Sequence, residues 1–258
     1  MGKIGVGVIT CNRPEFLKKC LQSIPLDKID HIVIVNDGKI LPTEIYNKNV
    51  DIIDHETNLG VGKSKNDAFR FLLDKECDHL FIIEDDIIIT DDSVFDEYIK
   101  CSNITGIKHI NFCLHGEDNK VKGKPAPKKI IDYGDIRISL YHNVYGAFSY
   151  YHKSVIDSIG LMDEEYINAM EHVDHTMMAI KQGFHPPFRW FVDIENSNRL
   201  LDEQDRNHSE STIRTGDWLK HFRDGVSRFK SKFNIDVCNP REKVADTSTV
   251  IDYLKGVK

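Results

Sequence analysis

Through the first hundred residues, short runs of consecutive apolar side chains alternate with stretches where apolar residues return every three or four positions. Ile4 to Thr10 reads as a buried strand, punctuated by Asn12-Arg13-Pro14. Phe16, Leu17, Cys20, Leu21 and Ile24 then share one face of a helix. His31 to Val35 is a β-branched strand ending at the turn signal Asn36-Asp37-Gly38, and Val50 to Ile53 is a third strand. The loop Asn58-Leu59-Gly60-Val61-Gly62 leads into a helix carrying Ala68, Phe69, Leu72 and Leu73, and Leu80 to Ile83 is a fourth strand. Strands this short and continuously apolar, alternating with amphipathic helices, predict an α/β fold around a mostly parallel sheet. Such sheets bind ligands at the carboxyl ends of their strands. Asn12, Asp37, the Gly60/Gly62 loop and the acids Glu84 to Asp86 all fall at those ends.

The second half is less regular. Ile107 to Leu114 reads as a strand, Lys120 to Lys129 as a proline-bearing loop, and Arg137 to Tyr151 as a strand pair around Gly146. Lys153 to Ile159 is a short helix closed by Gly160, and Tyr166 to Gln182 has helical character up to Gly183. After Trp190 to Ile194, the polar stretch from Glu195 to Thr215 lacks periodicity and reads as a mobile loop over the site. Trp218 to Phe229 is an amphipathic helix followed by a tail. The expected organisation is one domain over 1–215, divided into two halves (1–100 and 101–215), with a helical tail over 216–258.

Composition narrows the possibilities. The chain has 258 residues, 40 % hydrophobic and 29 % charged, with a net charge of −7. That suits one α/β domain with room for a smaller lobe, and it gives no overall field to attract nucleic acid or an anionic membrane. Lys120 to Lys129 is the best candidate for a local basic patch, although it reads more simply as a solvated loop. The cysteines at 11, 20, 77, 101, 113 and 238 form no Cys-x-x-Cys pair, and several lie in apolar contexts that suit reduced thiols. The N-terminal Met-Gly-Lys-Ile-Gly-Val-Gly-Val lacks the apolar core and cleavage site of a signal peptide, and no apolar run approaches the roughly 18 residues of a membrane span. A cytoplasmic location is the expectation.

The strongest chemical signal is Leu80 to Ile89, Leu-Phe-Ile-Ile-Glu-Asp-Asp-Ile-Ile-Ile. Three adjacent carboxylates in an apolar run cost several kcal/mol unless a cation compensates. One reading is a site for Mg²⁺ or Mn²⁺ with positions left open for phosphate. The other is a strand end whose acids face water at a turn, continued by Asp91 and Asp92.

Taken in order, the motifs resemble the family 2 glycosyltransferases of the GT-A fold. Val8-Ile9-Thr10-Cys11-Asn12-Arg13-Pro14 is similar to that family's first strand and turn, and Ile34-Val35-Asn36-Asp37-Gly38 to its Val-Asp-Asp-Gly strand end. Asn58 to Asn66 resembles its Asn-x-Gly-x-x-x-Ala-Arg-Asn segment. Glu84-Asp85-Asp86 stands where the family carries its DxD motif. Ser158 to Glu165, then Glu171-His172-Val173-Asp174 and Gln182-Gly183-Phe184, resemble its Gly-x-x-Asp-Glu, Glu-Asp-x-Asp and Gly block. The resemblance covers roughly residues 4 to 185. Each motif alone is weak; their ordered succession is not.

The resemblance implies an inverting, metal-dependent enzyme moving a sugar from a nucleoside diphosphate, with UDP favoured, to a hydroxyl of a saccharide or glycoconjugate. It places Thr10, Asn12, Arg13, Asp37, Gly60, Lys65 and Asp85 around the donor. Asp37 would accept from the base's imino N–H, or else cap its turn. Lys63 or Lys65 would pair with the diphosphate, or else face solvent. Asp86 would hold Mn²⁺ or Mg²⁺, Glu84 acting through water or not at all, and His208 would complete the site, with His185 the second candidate. The base that takes the acceptor's proton is open among Glu171, His172 and Asp174, because His172 replaces the family's aspartate. Trp190, Tyr145, Phe148, Tyr150 and Tyr151 are candidate sugar-stacking aromatics, each more simply a core residue. Two other readings compete: a non-catalytic nucleotide- or sugar-binding domain, kept alive by His172, and a nucleotidylyltransferase, disfavoured because no glycine-rich, arginine-bearing loop follows the first strand. A nucleobase hydroxyl remains an alternative acceptor, weakly disfavoured by the acidic charge.

Overall fold

A computed structural model describes residues 2–46, 50–205, 217–242 and 244–256. The first half builds the sheet. Strand β1 (Ile4–Thr10) leads to α1 (Pro14–Ser23), β2 (His31–Asn36), the short α2 (Thr43–Tyr46) and β3 (Asp51–Asp54). Helix α3 (Val61–Asp74), β4 (His79–Glu84), β5 (Ile87–Ile89) and α4 (Val94–Thr105) follow. Then come β6 (His109–Asn111), the small hairpin β7 (Lys120–Val121) and β8 (Lys124–Pro125), β9 (Lys129–Asp132), β10 (Arg137–Tyr141) and β11 (Phe148–His152). The chain continues through α5 (Lys153–Ile159), α6 (Glu171–Lys181), β12 (Phe191–Ile194) and β13 (Leu201–Glu203) to α7 (Trp218–Phe233) and α8 (Thr247–Gly256).

The main sheet has the order β3-β2-β1-β4-β11-β6. β1 to β4 run parallel, and β11 enters antiparallel between β4 and β6. Because the parallel strands are covered on both faces, their period-two alternation divides two apolar sets. Val6, Val8, Ile32, Ile34, Phe81 and Ile83 join one core cluster, and Ile9, Val33, Val35, Leu80 and Ile82 join the other. The second cluster is closed by Ala68, Phe69 and Leu72 of α3 and by Val155 and Ile156 of α5.

β1 pairs with β2 on one side and β4 on the other, so the strand order reverses there, which is where sheets of this kind open a crevice. The register sets Thr10 beside Asn36 and Ile9 beside Glu84. The turns after β1, β2 and β4 therefore meet at one edge.

The second half departs from the pattern reading. Arg137–Tyr141 and Phe148–His152 are both strands, but they do not pair with each other. β10 sits between β9 and β12 in a separate three-stranded sheet, while β11 is captured by β4. The helix expected from Tyr166 begins only at Glu171. The polar stretch after Ile194 is not structureless in its first part, since β13 pairs with β5. The final residues form α8, which inserts Val250 and Leu254 into the larger cluster. Phe148, Tyr150, Tyr151 and Trp190 are buried core residues and offer no stacking platform. The lysine-rich loop is partly consumed by internal contacts: Lys120 pairs with Glu203, and Lys128 lies over the Trp190 ring. No helix among the described residues is long and apolar enough to cross a membrane.

A cluster of buried histidines lies under β11. His109 stacks on Tyr151 and bonds Thr176 Oγ1 at 2.9 Å, His175 bonds the Gly160 carbonyl at 3.0 Å, and His185 bonds the Pro186 carbonyl at 2.8 Å. His185 is thus a core residue, not a second metal candidate. Burial holds all three toward the neutral form, with His175 and His185 lowered to about 4 and His109 well below its ordinary value. An unfolded histidine titrates near ~6.5, so the unfolded chain takes up more protons than the folded one below that pH. Stability contributed by these groups is full above about pH 6.5 and is lost as pH falls toward about 4. Each histidine adds a slope of up to about 1.4 kcal/mol per pH unit in that window. Urea unfolding between pH 7 and 4.5 should show this fall, and His175→Gln should make it shallower; an unchanged slope in the variant contradicts the assignment.

Candidate active site

The turn after β4 carries the three acids, and each has a different environment. Asp85 is fully buried. Thr10 Oγ1 donates to its Oδ2 at 2.6 Å, and the Arg13 guanidinium pairs with its Oδ1. Burial pushes the Asp85 carboxyl up to about 7 even with Arg13 opposing it. Asp86 also meets Arg13, at 3.4 Å through Oδ2, whereas its Oδ1 is buried with no hydrogen-bond partner among the described residues. Gln204, just after β13, donates from its backbone N–H to the Asp86 carbonyl at 2.7 Å and from Nε2 to the Asp85 carbonyl at 2.9 Å. Gln204 therefore clamps the acid turn at two consecutive carbonyls.

Glu84 faces elsewhere. Its carboxylate accepts from Lys65 Nζ at 2.8 Å, and the same ammonium donates to Glu171 Oε1 and to the Gly146 carbonyl, both at 3.0 Å. Lys65 is 1 % exposed. Burial opposes its charge, but Glu84 and then Glu171 outweigh burial and raise the ammonium above its ordinary value. The same pairing holds Glu84 and Glu171 below the usual carboxylate range, although burial alone would raise both. Lys65 consequently does not stand ready for a diphosphate, and Glu84 is committed to it. Lys63 is likewise engaged, by Asp67.

Asp37 organises the loop before α3. Its Oδ1 accepts from the Leu59 amide at 2.7 Å and meets His55 Nδ1 at 2.7 Å, while Oδ2 accepts from the Gly60 amide at 2.8 Å. Gly60 has φ +92°, and a Cβ there would lie 2.5 Å from the Ile167 carbonyl oxygen, so glycine is required on both counts. Asn12, at φ +58°, ties the β1 turn to the β2 turn by accepting from the Lys39 amide at 2.9 Å.

These turns enclose one crevice, lined by Thr10, Cys11, Arg13, Asp37, Glu84 and Asp85, with Val61 and Ser64 from the first turn of α3 and Asn58 and Asn168 completing the wall. Five of the sequence-predicted residues meet there. Asn12, Gly60 and Lys65 support the wall from behind. Asp174 is occupied by Tyr166 Oη at 3.1 Å and Lys232 Nζ at 2.7 Å, joining α6 to α7. His172 bonds Glu171 Oε1 through Nδ1 at 3.1 Å and remains partly exposed. His208 lies outside the described residues. Cys11, Asn58 and Ser64 belong to motifs already singled out, though not as site candidates, and Asn168 carries no pattern that marks it as a wall residue. Among the described residues no group of three or more histidine, cysteine or acidic side chains could by itself cage a metal ion.

Aligned with the structure of GalNAc-T7 with UDP, GalNAc and Mn²⁺, the chain superposes over 100 % of its length at a TM-score of 0.62 and 11 % identity, covering 55 % of that chain. The fold is GT-A. A second GT-A structure, a mutant Drosophila β1,4-galactosyltransferase 7 with manganese, UDP-Gal and xylobiose, matches 84 % of this chain and 76 % of its own at a TM-score of 0.53 and 13 % identity. Staphylococcus aureus TarS (residues 1–349) matches 69 % of this chain at a TM-score of 0.50 and 19 % identity, and this chain spans 55 % of that one. By sequence, an uncharacterised glycosyltransferase of Acanthamoeba polyphaga mimivirus is 24 % identical over 216 residues, 77 % of this chain and 80 % of the relative. No family model matches.

Removing the charge at Lys65 would leave two buried carboxylates facing each other. Lys65→Met should cost about 3–5 kcal/mol, as expected when one partner of a buried ion pair is lost. Urea unfolding measures it, and a loss under about 1 kcal/mol would show that the ammonium does not hold these acids together.

Proposed function

We propose that the chain is a metal-dependent, inverting glycosyltransferase that moves a sugar from a nucleoside diphosphate, UDP favoured, to a hydroxyl of a saccharide or glycoconjugate. The observation that carries this reading is the meeting of Thr10, Arg13, Asp37, Glu84 and Asp85 at one crevice beside the first turn of α3, with Asp86 next in the same turn. That crevice combines hydrogen-bond acceptors for a base and ribose with the positive charge of Arg13 for phosphate. The two GT-A structures solved with UDP or UDP-Gal and Mn²⁺ support the same donor chemistry.

Asp37 can still serve the base. A carboxylate offers about four acceptor positions, and three of them go to Leu59, Gly60 and His55. Asn58 and Asn168 offer amide groups to the ribose and base. Arg13, although paired with Asp85 and Asp86, lines the crevice and brings positive charge toward diphosphate oxygens. The unpartnered Oδ1 of Asp86 fits a hard divalent ion, which one or two carboxylates plus substrate phosphates ordinarily hold. Glu84 is withdrawn onto Lys65, so Asp86 is the protein's attachment point, and His208, a few positions beyond Gln204, is the proposed further ligand. Mn²⁺ or Mg²⁺ bound there supplies charge stabilisation for the departing diphosphate. The residues at the first turn of α6 hold the acceptor side, where the hydroxyl proton must be taken. In this reading the protein works in the cytoplasm.

UDP with Mn²⁺ should raise the melting temperature, by about 2.7 kcal/mol of added stability at a hundredfold excess over Kd. Asp86→Asn should abolish the part of the shift that depends on Mn²⁺. No shift with UDP and Mn²⁺ overturns the donor assignment. Cys11 lies in the crevice wall, so UDP should also slow its alkylation by N-ethylmaleimide while leaving exposed Cys238 unaffected. Equal rates at Cys11 with and without UDP would place the nucleotide elsewhere.

A further inference from the structure

Glu84, Lys65, Glu171 and His172 form a chain of three contacts, 2.8, 3.0 and 3.1 Å long, running from the donor crevice to the first turn of α6. Three carboxylates or imidazoles along α6 compete to take the acceptor's proton, and the chain separates them. Glu171 is nearly fully buried, and one of its oxygens is shared between an ammonium and an imidazole N–H. A carboxylate so neutralised is a poor proton acceptor. Asp174 is buried against Lys232 and Tyr166 and faces α7.

His172 differs from both. Its side chain is 21 % exposed. A carboxylate can only accept, so Nδ1 facing Glu171 carries the hydrogen, which leaves a lone pair on Nε2. Nε2 makes no hydrogen bond among the described residues. The backbone opposite is kept bare: a Cβ on Gly146 would lie 2.9 Å from His172 Cγ and 2.7 Å from Lys65 Nζ. Glycine at 146 therefore keeps both the ammonium and the imidazole in place. Carboxylate, imidazole tautomer and an unshared lone pair on a partly exposed ring are the arrangement by which a buried acid orients a histidine base.

We propose that His172 Nε2 is the general base of glycosyl transfer, with Glu171 as its positioning residue and Lys65 fixing Glu171 in the anionic form. This rests on the glycosyl-transfer reading above. In the step, the acceptor O–H proton passes to Nε2 while the hydroxyl oxygen forms the new bond to the anomeric carbon. The bond from that carbon to the diphosphate oxygen breaks, and its electron pair leaves with the nucleoside diphosphate. The proton then returns to solvent from the exposed edge of the ring.

The test uses water as the acceptor, following single-turnover hydrolysis of UDP-glucose, UDP-galactose and UDP-N-acetylglucosamine with Mn²⁺, and it scores UDP binding by thermal shift in parallel. His172→Ala should bind UDP as the wild type does, yet hydrolyse the preferred donor about 10²-fold more slowly or worse. Added imidazole should restore part of that rate to His172→Ala and none to Glu171→Gln, a rescue that a merely structural role would not produce. His172→Ala hydrolysing within about threefold of the wild type overturns the proposal, as does a loss that imidazole leaves untouched. A wild type that binds UDP but hydrolyses none of the three donors also overturns it. Failure of the wild type to bind UDP at all is a different result, because it removes the glycosyl-transfer reading and the proposal falls with it.

Discussion

A single ammonium, that of Lys65, fixes the relation between the two halves of the site. It comes from α3, and it reaches the end of β4 through Glu84, the start of α6 through Glu171 and the loop before β11 through the Gly146 carbonyl. Burying one cation costs several kcal/mol, and burying two anions costs more. The cost is offset only when all three partners and the carbonyl hold their geometry together. That requirement ties four segments distant in sequence to one point in space. It also decides chemistry, because an acid neutralised by Lys65 is no longer free for a metal or for a proton.

The crevice uses a second cation in a different way. Arg13 covers Asp85 and reaches Asp86, but it leaves one Asp86 oxygen without a partner. Asp85 is therefore part of the wall, held by Thr10 and Arg13, while Asp86 retains coordination capacity. The three adjacent acids thus divide into one that is tied through Lys65 to α6, one that shapes the crevice and one that keeps an oxygen without a partner among the described residues. Gln204 fixes the turn that separates them.

The parallel half of the fold was legible in the sequence because strands buried on both faces must be apolar through their interiors, as β1, β2 and β4 are. Their carboxyl-end motifs were legible for the same reason, since polar residues interrupt those runs only where the strands end. β11 was not legible. Its alternating aromatics read as one arm of a hairpin with Arg137–Tyr141, and nothing local states that β4 rather than β10 would capture it. The contact between Lys65 and Glu171 spans 106 positions, so the sequence shows a lysine and a glutamate in two motifs but not that they neutralise each other. In the sequence Lys65 is therefore a phosphate ligand or a solvent-facing lysine, and the burial that makes it neither appears only in three dimensions. His172 was visible as a departure from the family pattern, but its bond to Glu171 was not. His208, read from its polar segment, falls outside the described residues and remains a proposal.

The most direct test is a double-mutant cycle on Lys65 and Glu171, using Lys65→Met, Glu171→Gln and the combined variant, with stability taken from urea unfolding. If the ammonium is the point on which the site is built, the double variant should be less destabilised than the sum of the single ones, with a coupling of about 2–3 kcal/mol, near the upper end for residues in contact. Additivity within about 0.5 kcal/mol would contradict the account, because it would mean that the two charges do not depend on each other.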